Sequence, residues 1–580
     1  MDLSNKELRR PEELPIGIDD YKELIDKKCI YIDKTLLIKE FSDARSKVTL
    51  ITRPRRFGKS ITLSMLRYFF EKTDQSTTYL FENSKIWKYE EFQKLQGTYP
   101  VILISFKDIK AKTWGAAYLE LKQLLANEVL RVLRPFESQM KEPYKSRYEA
   151  LINQTATEVG FNESLAFITK VFKECSGLKT IILIDEYDTP ITRAYMHNYY
   201  EEMTDFMCQL LSKALKGNDY LEKALMTGVV RTAKDGILSG LNNPDIYTML
   251  EGPFSDKLGF TEAETDQLLS CIGRLDKKEE LKSWYNGYIV GVEQPLPSKI
   301  YNPWSVLGYL KHSCSPKTYW ANTGSSELLE RLIAEANEET QKELLLLVEG
   351  KSLEKKQIDQ NVILLNLDEK GHEPWSFLFF AGYITAIDHL FEDNKHYYTL
   401  AVPNLEIAEL YKELVIGAIG RTFSSAKLDN LHAALIKGDV DTFQRLLEDF
   451  ILSMCSFHDL PHNDLERSIH LFVLGLLASL MGRYVIKSNL ESGIGRYDIS
   501  LHPRNAKDPA ILIELKKLKK GKKENKRNLE LLADEALQQI KDNKYESLTK
   551  NLGYKGKVLC YGVATFKKLV AVKMETKNLD

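Results

Sequence analysis

Two sets of residues in the 580-residue chain combine types and spacings that do chemistry. The first is Arg53-Pro-Arg-Arg56-Phe-Gly58-Lys59-Ser60, which follows the β-branched run at Val48–Ile51 and precedes the helical pattern ITLSMLRYFFEK. A strand, a loop and a helix in that order turn backbone N–H groups and a helix N-terminus towards phosphate. Lys59 would then reach the β and γ phosphates of ATP and the Ser60 hydroxyl would bind Mg²⁺, with Arg56 and Gly58 completing the nucleotide-binding loop. Arg53 stands where the first glycine of such loops normally sits, so Gly-Lys-Ser alone is a weak signal. It is strengthened by Ile181-Ile-Leu-Ile-Asp185-Glu186, an apolar strand that ends in two carboxylates. Asp185 would hold Mg²⁺ through its water shell, and Glu186 would polarise the attacking water. Thr227, at the end of the next apolar run, is placed to sense the γ-phosphate, and Arg231 to add positive charge. The purely structural alternatives are an acidic turn, Asp185-Glu186-Tyr187-Asp188, a strand-end threonine and a surface arginine.

The second set lies near the C-terminus. Gly495-Arg-Tyr-Asp498-Ile-Ser places Asp498 in one strand, and Ile511-Leu-Ile-Glu514-Leu-Lys516 places Glu514 and Lys516 in the next. Residues two apart project from one face of a strand, so a hairpin would bring Asp498 beside Glu514 and Lys516. Metal-dependent phosphodiester cleavage needs such a set: hard oxygen ligands for Mg²⁺ or Mn²⁺, and a lysine to orient or deprotonate water. Two charges in an otherwise apolar strand need a reason, and a metal site is one. Glu466, on the preceding helix, is a further candidate ligand, and Gln539 a candidate contact to backbone phosphate or metal-bound water. In the lysine-rich run Lys516–Arg527, Lys519 and Lys520 are candidate phosphate contacts, with a solvated loop as the alternative. His458 and His462, flanked by Asp459 and Asp464, have no cysteine or third histidine at zinc-ligand spacing.

These sites need a scaffold. A chain this long outgrows a single core, so about two to four domains are expected. The 80 basic residues are balanced by 82 acidic ones, so nucleic-acid binding must come from a local patch. The opening MDLSNKELRRPEELPIG lacks the basic-then-apolar pattern of a secretory signal. FLFFAGYITAI and LFVLGLLASLMG are too short and interrupted to span a bilayer, so a cytoplasmic protein without a membrane partner is expected. The seven cysteines are scattered without a C-x-x-C pair, as in a reduced compartment. VILISF, TIILIDEYD and KALMTGVV read as buried parallel strands separated by helices. Short helices and aromatic turns follow, then an amphipathic helical stretch interrupted by WSFLFFAGYITA and the strand-like HYYTLAV. From about Phe457 the order is helix, three strands, helix, strand.

With these residues in place, the chain resembles bacterial AAA-like, STAND-type ATPases that carry a PD-(D/E)xK nuclease domain at the other end. The resemblance rests on LPIGIDDYKEL, YIDKTLLIKE, TRPRRFGKS, LIDEYDTP, TGVVR, LSGLNN, LGFTEAE, WYNGY and YNPWSVL over most of residues 14–310. It continues with ERSIHLFVLGLL, GIGRYDI, LIELK and ALQQIKDNKY over about residues 457–570. It implies that Arg53 is a family feature, that nucleotide gating or slow turnover replaces motor activity, and that nucleic acid, DNA by expectation, is the partner. Control of foreign or damaged nucleic acid suits such an architecture.

The expected fold is therefore an α/β multidomain one. A parallel-sheet P-loop NTPase domain spans 1–252, a lid or adaptor 253–324, a helical or winged-helix linker 325–456, and a C-terminal α/β restriction-endonuclease-like domain 457–580. The expected function is an ATP-dependent, regulated nuclease. A nucleotide-switched scaffold with an inactive nuclease fold, and an ATPase acting on another protein, stay as alternatives. Assembly into a homo-oligomer is left open.

Overall fold

Continuous apolar runs can be buried on both faces only inside a layered sheet, and they are so placed in the computed structural model. Strands β1 (Val48–Thr52), β2 (Val101–Ser105), β3 (Thr180–Asp185), β4 (Leu221–Gly228) and β5 (Asp245–Tyr247) form one sheet in the order β2-β3-β4-β1-β5. All its pairs are parallel. Every residue of β1 and β3 is buried, as a central strand covered by helices requires. The helix Lys59–Phe70 supplies Leu63, Leu66, Phe69 and Phe70 to a core shared with Ile51, Leu183 and Leu225.

The structure describes residues 13–231, 244–320, 350–360, 374–411 and, with short interruptions, 425–455, 483–517, 526–542 and 556–579, with a few positions between 340 and 347 and between 473 and 480. The chain divides into two compact units, Met1–Leu328 with Gly350–Leu410, and Leu329–Glu349 with Tyr411–Asp580. No helix among the described residues is long and apolar enough to cross a membrane.

The first unit adds two small antiparallel sheets to the parallel one. Strands β6 (Phe260–Thr261), β7 (Tyr288–Val290) and β8 (Ser298–Tyr301) pair in the order β6-β8-β7. Strands β9 (Leu353–Lys356), β10 (Thr385–Glu392) and β11 (Lys395–Ala401) pair in the order β10-β11-β9. The strand-like HYYTLAV is thus most of β11, and WSFLFFA is the short helix Trp375–Ala381 ahead of β10.

Arg53 shows what a large side chain does at the position where a phosphate-binding loop would begin with glycine. Its side chain is fully buried and spends its terminal donors on carbonyls: Nη1 on Thr52, Thr248 and Tyr247 at 2.8, 2.7 and 3.3 Å, and Nη2 on Phe254 at 3.4 Å. Burial lowers its pKa to about 10, with Glu251 opposing the fall, so it stays charged at neutral pH and ties the end of β1 to the turn after β5. Restoring glycine would strand those carbonyls. Arg53→Gly is expected to cost about 2–4 kcal/mol, read as a lower thermal unfolding midpoint of the purified protein. An unchanged midpoint would remove this role.

In the second unit, β12 (Tyr484–Ser492), β13 (Gly495–Pro503), β14 (Ala510–Lys517), β15 (Gly556–Phe566) and β16 (Leu569–Leu579) lie side by side in sequence order. Only β14 and β15 run parallel, joined through the helix Lys526–Asp542, since parallel neighbours need a crossover. The helices Ser425–Lys437 and Val440–Cys455 pack Leu435, Phe443, Phe450 and Ile451 into one core with Ile499, Ile511, Tyr561 and Val563.

Candidate nucleotide and metal sites

Parallel strands end together, and this sheet puts four functional segments on one edge. The loop follows β1, Ser105 ends β2, Asp185 ends β3, and Thr227 is the penultimate residue of β4. Ligands of open α/β sheets bind beyond this edge, where strand order reverses. Gly58 takes φ 87° immediately before the helix Lys59–Phe70. Lys59 is buried; its Nζ donates to the carbonyls of Arg53 and Pro54 at 3.0 Å each. Burial lowers the Lys59 pKa, while Glu186 and Asp185 raise it. Ser60 Oγ donates to Asp185 Oδ2 at 2.6 Å and Thr227 Oγ1 to Asp185 Oδ1 at 2.8 Å. Burial pushes the Asp185 carboxyl above its ordinary range, and the two hydroxyl bonds pull it back. A carboxylate so oriented beside a serine hydroxyl fits the hard-oxygen demands of Mg²⁺.

A cavity of about 480 Å³ opens over the loop, within the size range of small-ligand sites. Arg55, Arg56, Lys59 and Ser60 form its cationic wall; Glu186, Thr189 and Arg193 face them, and Ile18, Trp304 and Leu307 add apolar surface. Glu186 sits at φ 50°, an uncommon conformation for a non-glycine residue, and accepts a hydrogen bond from Thr189 Oγ1 at 3.1 Å. Arg56, at φ 67°, stacks its guanidinium 4.2 Å from the Trp304 ring centroid. Thr227 is buried behind Asp185 and does not line the cavity. Nor does Arg231, whose Nη1 lies 3.4 Å from Gln360 Oε1.

Several residues that hold this site were not singled out from sequence. Asp188 Oδ2 accepts the backbone N–H groups of Val229 and Val230 at 2.8 and 2.9 Å, tying the β3 turn to the end of β4. Asn302 caps the helix Pro303–Lys311 through Oδ1, while its Nδ2 donates to the Arg55 carbonyl at 3.1 Å. Trp320 Nε1 donates to the same carbonyl at 3.2 Å. The motif YNPWSVL therefore contributes both Asn302, which fixes the loop, and Trp304, which stacks on Arg56. The Asn302-Pro303 pair, a cap residue followed by proline at the first helical position, was the available local clue.

In the second unit, the antiparallel register Ile499↔Ile513, carried one step further, sets Asp498 opposite Glu514. Asp498 Oδ2 accepts the Leu515 N–H at 2.7 Å. Glu514 is 4% exposed; its Oε1 accepts from Gln539 Nε2, and its Oε2 is buried without a hydrogen-bond partner. Burial, and then the Asp498 charge, push Glu514 up to about 8, against the pull of the Asp498 backbone N–H, Lys516 and Gln539. An orphaned carboxylate oxygen beside a second carboxylate fits a hard divalent cation, which would displace the proton that burial now favours. Glu514 pairs with Gly562 on β15. A Cβ at Gly562 would lie 2.2 Å from the Ala533 carbonyl oxygen and 2.6 Å from the Leu537 nitrogen. The helix Lys526–Asp542 thus rests directly on the strand backbone and delivers Gln539 to Glu514.

Comparison with known families matches two stretches of the chain. Residues 15–238 match the family model described as "Predicted AAA-ATPase" (AAA-ATPase_like), and residues 464–575 match that of the PD-(D/E)XK nuclease superfamily (PDDEXK_9). The chain joins an AAA-ATPase-like domain to a PD-(D/E)XK nuclease domain. An uncharacterised protein from the vnfD 5′ region of Azotobacter chroococcum mcd 1 is similar along much of its length, 26% identical over 463 residues that cover 78% of each chain.

In the AAA-ATPase-like domain the parallel sheet gathers Gly58, Lys59, Ser60, Asp185 and Thr227 at one edge, with Arg56 and Glu186 on the cavity wall. In the nuclease domain it is the β13–β14 pair and the following helix that bring Asp498, Glu514, Lys516 and Gln539 into one neighbourhood. Glu466, Lys519 and Lys520, and the pair His458 and His462, lie outside the described residues.

Proposed function

We propose that nucleotide binding and hydrolysis in the AAA-ATPase-like domain, acting as a STAND-type switch, control metal-dependent cutting of DNA by the nuclease domain. The observation that carries the cutting reaction is the buried Glu514 oxygen without a partner, set beside Asp498 and two residues from Lys516. Mg²⁺ or Mn²⁺ bound there would supply Lewis-acid stabilisation of the scissile phosphate and an acidified water. Asp498 and Glu514 hold the cation, Gln539 keeps the Glu514 carboxylate in its rotamer, and Lys516 offsets negative charge and orients water. In the other domain Lys59 and Arg56 bind the phosphates of ATP. Ser60 and Asp185 hold its Mg²⁺, Thr227 fixes Asp185, and Glu186 aligns the hydrolytic water. Coupling of the two sites is supported by their presence on one chain that passes between its two compact units more than once.

The test incubates the full-length protein with circular DNA, linear single strands and RNA, each with and without ATP and Mn²⁺. Cutting of DNA that needs Mn²⁺ and changes severalfold with ATP is expected. Cutting indifferent to ATP would remove the coupling, and no cutting under any condition would leave a binding scaffold.

A further inference from the structure

A cluster of candidate transition-metal ligands lies in the first unit, on residues that do not line the cavity over the loop. Strands β10 and β11 are joined by the two-residue turn Asp393-Asn394, both at positive φ (51° and 58°), the conformation of a tight type I′ hairpin. Its register pairs His389 with Tyr398 and Phe391 with His396, so these four side chains share one face. On that face the two imidazoles stack, with centroids 5.0 Å apart and planes 16° from parallel. His389 Nε2 lies 2.8 Å from His396 Nδ1. Glu293, from the turn between β7 and β8, closes the group: one ligand atom from each of the three residues lies within 4.8 Å of the others.

The surroundings have the form of an outer coordination shell. Tyr398 is buried, and its hydroxyl donates to Glu293 Oε1 at 2.5 Å, which fixes the carboxylate and its rotamer. The buried Tyr398 ring packs on His389 at 5.2 Å and walls the group on its inner side, while the exposed Phe391 ring packs on His396 at 4.8 Å. His396 is exposed and leaves the outer side to solvent. Hydrophobic packing alone gives no reason to gather two imidazoles and a carboxylate on a solvent-facing hairpin.

We propose that Glu293, His389 and His396 bind one Zn²⁺, with water in the fourth position. Two imidazoles and one carboxylate suit Zn²⁺ and related transition metals, whereas Mg²⁺ and Ca²⁺ favour all-oxygen sets. Tetrahedral Zn²⁺ with bonds of about 2.0–2.1 Å separates its donors by about 3.3 Å, so the imidazoles would open by about half an ångström and the carboxylate would close in by up to about 1.5 Å. The ion pins the turn between β7 and β8 to the β10–β11 hairpin, joining the two small sheets of this unit.

Full-length protein stripped with a chelator is titrated with Co²⁺, in the presence of excess Mg²⁺ to fill the oxygen sites. One equivalent is expected to give the intense visible bands of four-coordinate Co²⁺, bleached by one equivalent of Zn²⁺. His389→Ala and His396→Ala should lose the bands, while Glu514→Ala keeps them. Should the histidine variants misfold, Tyr398→Phe keeps the ring packing and is expected to weaken Zn²⁺ by about 10-fold or more. Wild type without such bands, or bands that persist at full intensity in His389→Ala, would overturn the site.

Discussion

Glu514→Ala is expected to lower Mn²⁺-dependent DNA cutting by about 10²–10³-fold or more, while DNA binding and ATP turnover stay near wild type. The size of the effect follows from where the carboxylate sits. Almost no water reaches it, so its interaction with a cation is screened far less than that of an exposed acid. Asp498 alone cannot compensate, because one of its oxygens is engaged by the Leu515 N–H. Lys516→Ala should reduce cutting with little change in metal affinity, since lysine acts on water and phosphate and not on the ion. Glu514→Gln separates charge from packing: it retains the shape that meets Gln539 but not the negative charge, and cutting should fall as far as in the alanine variant. The measurement is the initial rate of nicking of circular DNA against Mn²⁺ concentration. Wild-type rates in Glu514→Ala would show that the cutting site lies elsewhere.

Lys59→Ala should weaken ATP binding by about 10²-fold and leave DNA cutting at a single rate with or without nucleotide. Lys59 is held ready beneath the loop, its ammonium resting on two carbonyls and facing Asp185 and Glu186. A desolvated cation in that position gains far more from a triphosphate than a solvated one does. Fluorescent-nucleotide titration reads the affinity, and the nicking assay with and without ATP reads the coupling. If Lys59→Ala binds ATP weakly yet still cuts in an ATP-dependent manner, the control proposed for this domain is lost.

Much of the scaffold was legible because its strands are continuous apolar runs that fit only a buried parallel sheet, as TIILID does for β3. The D…E-x-K set was legible for a different reason: the two-residue period put Glu514 and Lys516 on one face, and a hairpin supplied Asp498. What escaped notice was set by distant partners. The resemblance marks Arg53 as a family feature without a reason, which the carbonyls of Tyr247, Thr248 and Phe254, about two hundred residues on, supply. Asp188 reads as part of an acidic turn, and only the pairing of β3 with β4 gives it two backbone N–H groups. The last strand, Leu569–Leu579, was not anticipated, because its apolar start is short and Lys573, Glu575 and Lys577 interrupt the rest, leaving a weak apolar signal. Glu293 is nearly a hundred residues from His389, a separation no local spacing rule can bridge.

The stretch that matches the nuclease family, residues 464–575, does not by itself close the hydrophobic interior of its unit. The two preceding helices supply one wall of that interior, and Gln444 and Glu448 accept N–H groups from Val572 and Val570 of the last strand. Tyr561 in turn donates to the Leu435 carbonyl. A fragment cut at the family boundary would turn this wall into greasy, solvent-facing surface and should clump where the longer piece stays dispersed. In the proposed switch, a push that tilts the same helices would pass through Ile499 and Ile513 to the strands bearing Asp498 and Glu514.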